Sequence, residues 1–200
     1  MAESSQRKMP PGQSPIGSIL RWGIDHPGIV RENPVIRPED WVLTVDGEVE
    51  TALKLSWGEF LQLPMVEVVS DFHCVEGWSV LGCRWMGVPF KALVERVKPK
   101  EEAKYVWFDC ADGYTTSLEL RNLLDEDVLL VHRLNGESLP PELGGPVRLV
   151  VPKKYAYKSP MWVTRIRFTR TKELGYWEKR GYSDTADVWK NDRRARRSIF

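Results

Sequence analysis

The chain is short of the residues that build disulfide frameworks and haem sites, and short of excess charge. Its three cysteines, Cys74, Cys83 and Cys110, are an odd number and too few to staple a chain of 200 residues, which fits a reducing compartment. Three histidines, His26, His73 and His132, leave little from which to build a haem domain. Lys and Arg total 29 against 28 for Asp and Glu, a formal net charge of +1. No whole-protein field therefore exists to draw in nucleic acid or an anionic membrane. Met1 to Ser14 is polar, contains Pro10-Pro11-Gly12, and has no apolar run suited to a signal peptide or a membrane span. A cytoplasmic protein is expected, with neither nucleic acid nor a membrane among its partners.

The length suits one well-buried domain. Residues 1–18 are expected to be disordered, 19–175 to form the domain, and 176–200 to be a tail. The charge run from Lys190 to Arg197 reads as a solvated, frayed end. Trp41 to Val45 predicts a strand that turns tightly at Asp46-Gly47. Ser56 and Glu59 have the spacing of a capping box at the start of a short helix that Pro64 ends. Met65 to Ser70 reads as a strand delivering Cys74 to a loop. After Pro89, Leu93, Val94 and Val97 supply the apolar stripe of a helix. Tyr105 to Cys110 is an aromatic and β-branched run expected to be a buried strand, and Ser117 to Leu124 a second short helix. Val128–His132, Val147–Val151 and Trp162–Phe168 complete the strands, the last with Ile166 and Phe168 on one face and Arg165 and Arg167 on the other. Irregular alternation of strands and short helices gives an α+β fold built on a mixed β-sheet.

The chemistry concentrates in Asp71-Phe72-His73-Cys74-Val75-Glu76-Gly77-Trp78-Ser79, which runs on through Cys83-Arg84-Trp85-Met86-Gly87-Val88-Pro89-Phe90. A lone cysteine is more often a small buried hydrophobe than a ligand. Here the sulfur is framed by tryptophans, and by glycines where backbone must come close to something. The arrangement suits one exposed thiolate, a soft ligand whose deprotonation a metal itself drives.

This stretch resembles the molybdenum-ligand segment of the sulfite oxidase family of molybdopterin oxidoreductases, a Cys-Val-x-x-Trp-Ser run followed by Trp-x-Gly-Val/Phe-Pro. Further stretches resemble family segments in the same order: Asp112 to Leu118, Leu134 to Pro141, and Gly144 to Pro152 followed by Tyr155 to Ser159. Together they span roughly residues 20–170. The chain is similar as well to the catalytic subunits of periplasmic methionine sulfoxide reductases, apart from the leader. The resemblance implies a sulfite oxidase-type fold and molybdopterin as cofactor, with Cys74 as the metal ligand and Tyr114 as a hydroxyl donor to a substrate oxygen. It also implies that Arg148, Lys158, Ser159 and the loop to Met161 meet the cofactor phosphate, that Cys110 contacts the pterin, and that Asp25 and His26 close over it. Cys83 is expected to be structural, His73 a loop imidazole bonded to backbone, and Trp78, Trp85 and Trp162 pocket wall and core.

Three departures shape the expectation. Ile24 stands where sulfite oxidases carry a substrate-binding arginine, which favours reduction of a small neutral S- or N-oxide over sulfite oxidation. Leu143 and Met161 replace polar or basic residues common in the family. They leave open a cofactor-poor scaffold of the same fold, as sulfite oxidation itself is left open. The resemblance stops before the separate dimerisation domain of sulfite oxidases, so their dimer is not implied. Electrons are expected from a separate electron-transfer protein or a flavin carrier. A zinc site of Cys74, Cys83, Cys110 and His73 is disfavoured because no Cys-x-x-Cys pair occurs.

Overall fold

Eleven strands and two short helices are present among residues 8–195, the part of the chain that the computed structural model describes. In chain order the strands are β1 (Ser14–Pro15), β2 (Val42–Gly47), β3 (Leu53–Ser56), β4 (Val66–His73), β5 (Trp78–Pro89), β6 (Tyr105–Cys110), β7 (Thr115–Glu119), β8 (Leu129–Leu134), β9 (Glu137–Ser138), β10 (Arg148–Val150) and β11 (Val163–Thr169). The helices are α1 (Trp57–Leu61) and α2 (Phe90–Val97). One sheet runs β1-β5-β8-β10, with β4 on β5 and β9 on β8; the other runs β3-β2-β11-β6-β7. β1 lies parallel to β5 and β11 parallel to β2, while the remaining pairs are antiparallel. The expected mixed sheet is thus two mixed sheets with few helices.

Alternation along the strands explains how the sheets pack. On β11, Ile166 and Phe168 are buried while Arg165 is exposed and Arg167 half-buried, because successive side chains leave opposite faces of a strand. A single apolar cluster joins Leu43 and Val45 of β2, Phe108 of β6 and Ile166 of β11 to Val88, Leu130 and Leu149 of the first sheet. α2 adds Phe90, whose ring lies 6.0 Å from Phe108 and 6.5 Å from Phe168. The opposite face of the first sheet is covered by a second cluster of Phe72, Val80, Cys83, Trp85, Val131 and Val150. At Gly87 the β5–β8 register shifts, and a Cβ there would stand 2.1 Å from the Leu130 carbonyl oxygen. Only glycine permits so close an approach of two backbones.

The Ser56–Glu59 capping box forms at the start of α1, with reciprocal bonds between side chain and backbone. β6 and β11 fall where the side-chain pattern put them. Other expectations are corrected. β2 does not turn tightly at Asp46-Gly47: its antiparallel partner is Leu53–Ser56, and the intervening residues fold back on Phe168 and Pro99. Ser117 to Leu124 is not an α-helix but the end of β7 followed by a single 3-10 turn, Leu120–Leu123, since Ser117 and Leu118 are drawn into pairing with β6.

The chain ends differ most from expectation. Residues 8–18 are not loose: Ser14–Pro15 pairs with Trp78–Ser79, and Ile19 is buried. From Tyr176 onward the chain packs onto the domain, burying Glu178, Ser183, Ala186 and Val188. Arg193 is bonded to backbone carbonyls of Gly12 and Val75 rather than solvated. Residues 1–7 and 196–200, part of the expected disordered segment and of the charge run, lie outside the described residues. No described helix is long and apolar enough to cross a membrane.

Candidate active site

Cys74 occupies the turn between β4 and β5, as the sequence pattern implied. The turn is closed by the Cys74 N–H donating to Trp78 O at 2.9 Å and the Gly77 N–H donating to Cys74 O at 3.1 Å. Gly77 has φ +103°, a conformation that costs a side-chain-bearing residue but not glycine. Cys74 is 8% exposed, so the expected exposed thiolate is instead a buried thiol. Burial pushes its pKa up to about 12, and the neighbouring Glu76 carboxylate pushes the same way. The sulfur therefore carries its proton at neutral pH.

Cys74 opens onto a cavity of about 890 Å³, the open space at its mouth included. β10 supplies its cation. Val147, Leu149 and Val151 point into the core between the sheets, so Arg148 and Val150 take the other face. Arg148 lies with its guanidinium 5.0 Å from the Phe72 ring. Its Nη1 donates to Leu143 O at 3.0 Å and its Nη2 to Ser159 O at 2.9 Å. Nε is buried without a partner. Burial lowers the pKa to about 10, so the group stays charged at neutral pH, 3% exposed.

Of the residues that the resemblance implicates, Cys74, Tyr114, His26, Arg148, Ser159 and Met161 line this cavity together. Ser159 Oγ is turned away to accept from Val151 N at 3.0 Å. Tyr114 presents its ring, but its hydroxyl donates to Tyr157 O at 2.5 Å, where it braces the Tyr155–Ser159 loop rather than reaching for a substrate oxygen. His26 stacks on Trp22, 4.5 Å between ring centroids, and its Nε2 meets Glu76 Oε1 at 2.7 Å.

Asp25, Cys110 and Lys158 do not line the cavity. Asp25 is exposed and paired with Arg21, which holds its carboxyl below the usual range. Cys110 belongs to the core between the sheets, where burial drives its thiol pKa well up. Lys158 is turned into the protein, bonded to Glu178, to Thr116 Oγ1 at 3.3 Å and to Ser117 O at 2.8 Å. It is spent on an internal ion pair and is not a free phosphate ligand. Ile24 is 60% exposed and outside the cavity, so its lack of charge does not bear on what enters. Cys83 packs in the second apolar cluster. His73 bonds the Ser79 hydroxyl at 2.7 Å, a side chain rather than the expected backbone group. Trp78 lines the cavity wall, while Trp85 and Trp162 are buried in the core.

Sequence reasoning missed the acids and the C-terminal aromatics. Glu76 and Asp112 line the cavity, and Trp177 and Tyr182 reach it from beyond residue 175. Glu76 Oε2 lies 3.9 Å from Cys74 Sγ and 3.3 Å from Trp78 Nε1. Its place two residues past the cysteine was a usable signal. The aromatics of the C-terminal segment were another, obscured by the charge around them.

The domain model described as "Oxidoreductase molybdopterin binding domain" matches residues 30–177, and the chain belongs to that family. Among curated relatives, an "Uncharacterized oxidoreductase YuiH" of Bacillus subtilis (strain 168) is 41% identical over 153 residues, covering 76% of this chain and 77% of the relative. The "Protein-methionine-sulfoxide reductase catalytic subunit MsrP" of Campylobacter jejuni is 32% identical over 163 residues, 70% of this chain and 52% of the relative. This chain thus spans about half the length of that reductase. The solved sulfane dehydrogenase SoxCD of Paracoccus pantotrophus matches with a TM-score of 0.66 at 23% identity, over 78% of this chain and 43% of that one, a likeness of fold. The protein is a molybdenum-dependent oxidoreductase with molybdopterin as its cofactor.

The cavity fits that cofactor. A buried guanidinium with no carboxylate among its hydrogen-bond partners and an unpartnered Nε lacks an anion, and a phosphate-bearing ligand supplies one. Among the described residues no cluster of three or more His, Cys, Asp or Glu side chains is placed to hold a metal alone. A single sulfur at the cavity therefore suits a metal whose other ligands the cofactor brings.

Proposed function

We propose that this protein reduces a small neutral S-oxide or N-oxide, with Cys74 as the protein's ligand to molybdenum. When bound, the molybdenum cofactor supplies the two-electron oxygen-atom chemistry. The reaction takes up two electrons and two protons and releases the reduced substrate and water. A separate electron-transfer protein or flavin carrier supplies the electrons, a role consistent with the "catalytic subunit" in the name of the reductase relative.

The observation that carries this reading is the meeting of Cys74, Arg148 and Glu76 at one cavity. Arg148, deep and held by two carbonyls, is matched to the anionic end of the cofactor. Glu76 stands beside the sulfur, and its other oxygen meets His26 Nε2 at 2.7 Å. An oxyanion such as sulfite would have to approach that carboxylate, whereas a neutral oxide meets no such repulsion. The neutral-substrate preference thus rests on Glu76 rather than on Ile24.

Dye-linked reduction across a panel of sulfoxides and N-oxides, beside sulfite oxidation, tests the reading. Turnover of a neutral oxide above sulfite oxidation is expected, and Glu76→Gln should raise inhibition by sulfite and sulfate. Efficient sulfite oxidation with no reduction of any neutral oxide would refute it.

A further inference from the structure

The turn carrying Cys74 is gripped by side chains from both ends of the chain, outside the family-matched residues 30–177. Gln13 Nε2 donates to the Cys74 carbonyl at 3.0 Å, and its Oε1 accepts from Ser79 Oγ at 2.8 Å. From the other end, Arg193 spans two carbonyls: Nη1 donates to Val75 O and Nη2 to Gly12 O, the latter at 2.7 Å. Arg193 Nε donates to Asn191 Oδ1 at 2.7 Å, and the guanidinium lies 5.3 Å from the Tyr155 ring centroid. Tyr155, Ala186 and Val188 form a small buried cluster against which Val75 packs.

These contacts act on the dihedrals of one residue. Peptide units are planar, so the angles at Cys74 are fixed once the planes on either side of it are held. The plane before it is held by its N–H on Trp78 O, and the plane after it by Gln13 and Gly77 on its carbonyl. Arg193 holds the next plane through Val75 O and ties Gly12, beside Gln13, to the same turn. We infer that Arg193 and Gln13 are positioning residues that set the orientation of Cys74 toward its metal. A guanidinium is suited to this, since its rigid fork reaches two acceptors at once where an ammonium is a single mobile point.

The test compares Arg193→Ala, Arg193→Lys and Gln13→Ala with the parent chain. In metal-free protein, the rate of Cys74 alkylation by iodoacetamide is followed by peptide mass. Arg193→Ala and Gln13→Ala should each speed it roughly tenfold, the order expected from losing hydrogen bonds of this kind, with Arg193→Lys intermediate. In the cofactor-loaded protein, the paramagnetic molybdenum spectrum should shift in the same order. Gln13→Ala keeps the test decisive if Arg193→Ala fails to fold. Folded variants with parental alkylation rates and parental spectra would overturn the inference. The spectroscopic arm rests on Cys74 being the metal ligand; if Cys74→Ser leaves the metal spectrum unchanged, that reading fails and the alkylation rates still decide the clamp.

Discussion

Lys158 and Glu178 form an ion pair shut off from solvent, each side chain 1% exposed. Burial pulls the lysine pKa down and Glu178 pushes it back up. Thr116 Oγ1 also donates to the same carboxylate oxygen at 2.6 Å. The pair pins the C-terminal segment behind the loop that carries Ser159. Removing one partner strands a buried charge, so Glu178→Leu should cost about 3–5 kcal/mol in urea unfolding. The double variant Lys158→Met/Glu178→Leu should recover most of that loss. A single variant within about 1 kcal/mol of the parent would show that the pair is not closed to water in solution.

Arg148→Met should weaken cofactor retention roughly tenfold to a hundredfold, the range for a lost charge-assisted phosphate contact. Pterin content after extended dialysis measures it, and content equal to the parent would contradict the role. Met161, which lines the same cavity, offers the reciprocal change: Met161→Lys adds a cation and should slow cofactor loss.

Burial lowers the pKa of His132, and Arg133 lowers it further; the ring lies 5.7 Å from Trp57. With the folded value below 6.5, the unfolded chain binds the proton more tightly. The contribution is therefore fully present above about pH 6.5 and is lost as pH falls through the folded pKa. His73 shifts the same way, while the raised carboxyls of Asp112 and Asp127 oppose it. Stability curves of parent and His132→Gln between about pH 7.5 and 5 isolate one group. The variant should show the shallower acid-side loss, and parallel curves would rule the residue out.

Local chemistry made much of the fold legible. The Ser56–Glu59 box, the β6 run and the alternation on β11 are encoded within a few residues, as is the turn that ends with Gly77. Arg148, Tyr114 and Met161, singled out by their place in a motif, all line the cavity. Direction was a different matter. Lys158 sits one residue before Ser159, yet it turns inward because Glu178, 20 residues on, offers a buried carboxylate. The terminal segments were unreadable for a related reason. Arg193 and Gly12 are 181 residues apart, and a polar, charged composition gives no sign that such partners meet.

X-ray absorption at the molybdenum edge of parent and Cys74→Ser protein, beside a Cys83→Ser control, tests the central claim most directly. The account predicts that Cys74→Ser loses one sulfur from the metal's coordination or loses the metal altogether, while Cys83→Ser matches the parent. Equal occupancy and unchanged sulfur coordination in Cys74→Ser would show that this cysteine does not hold the metal.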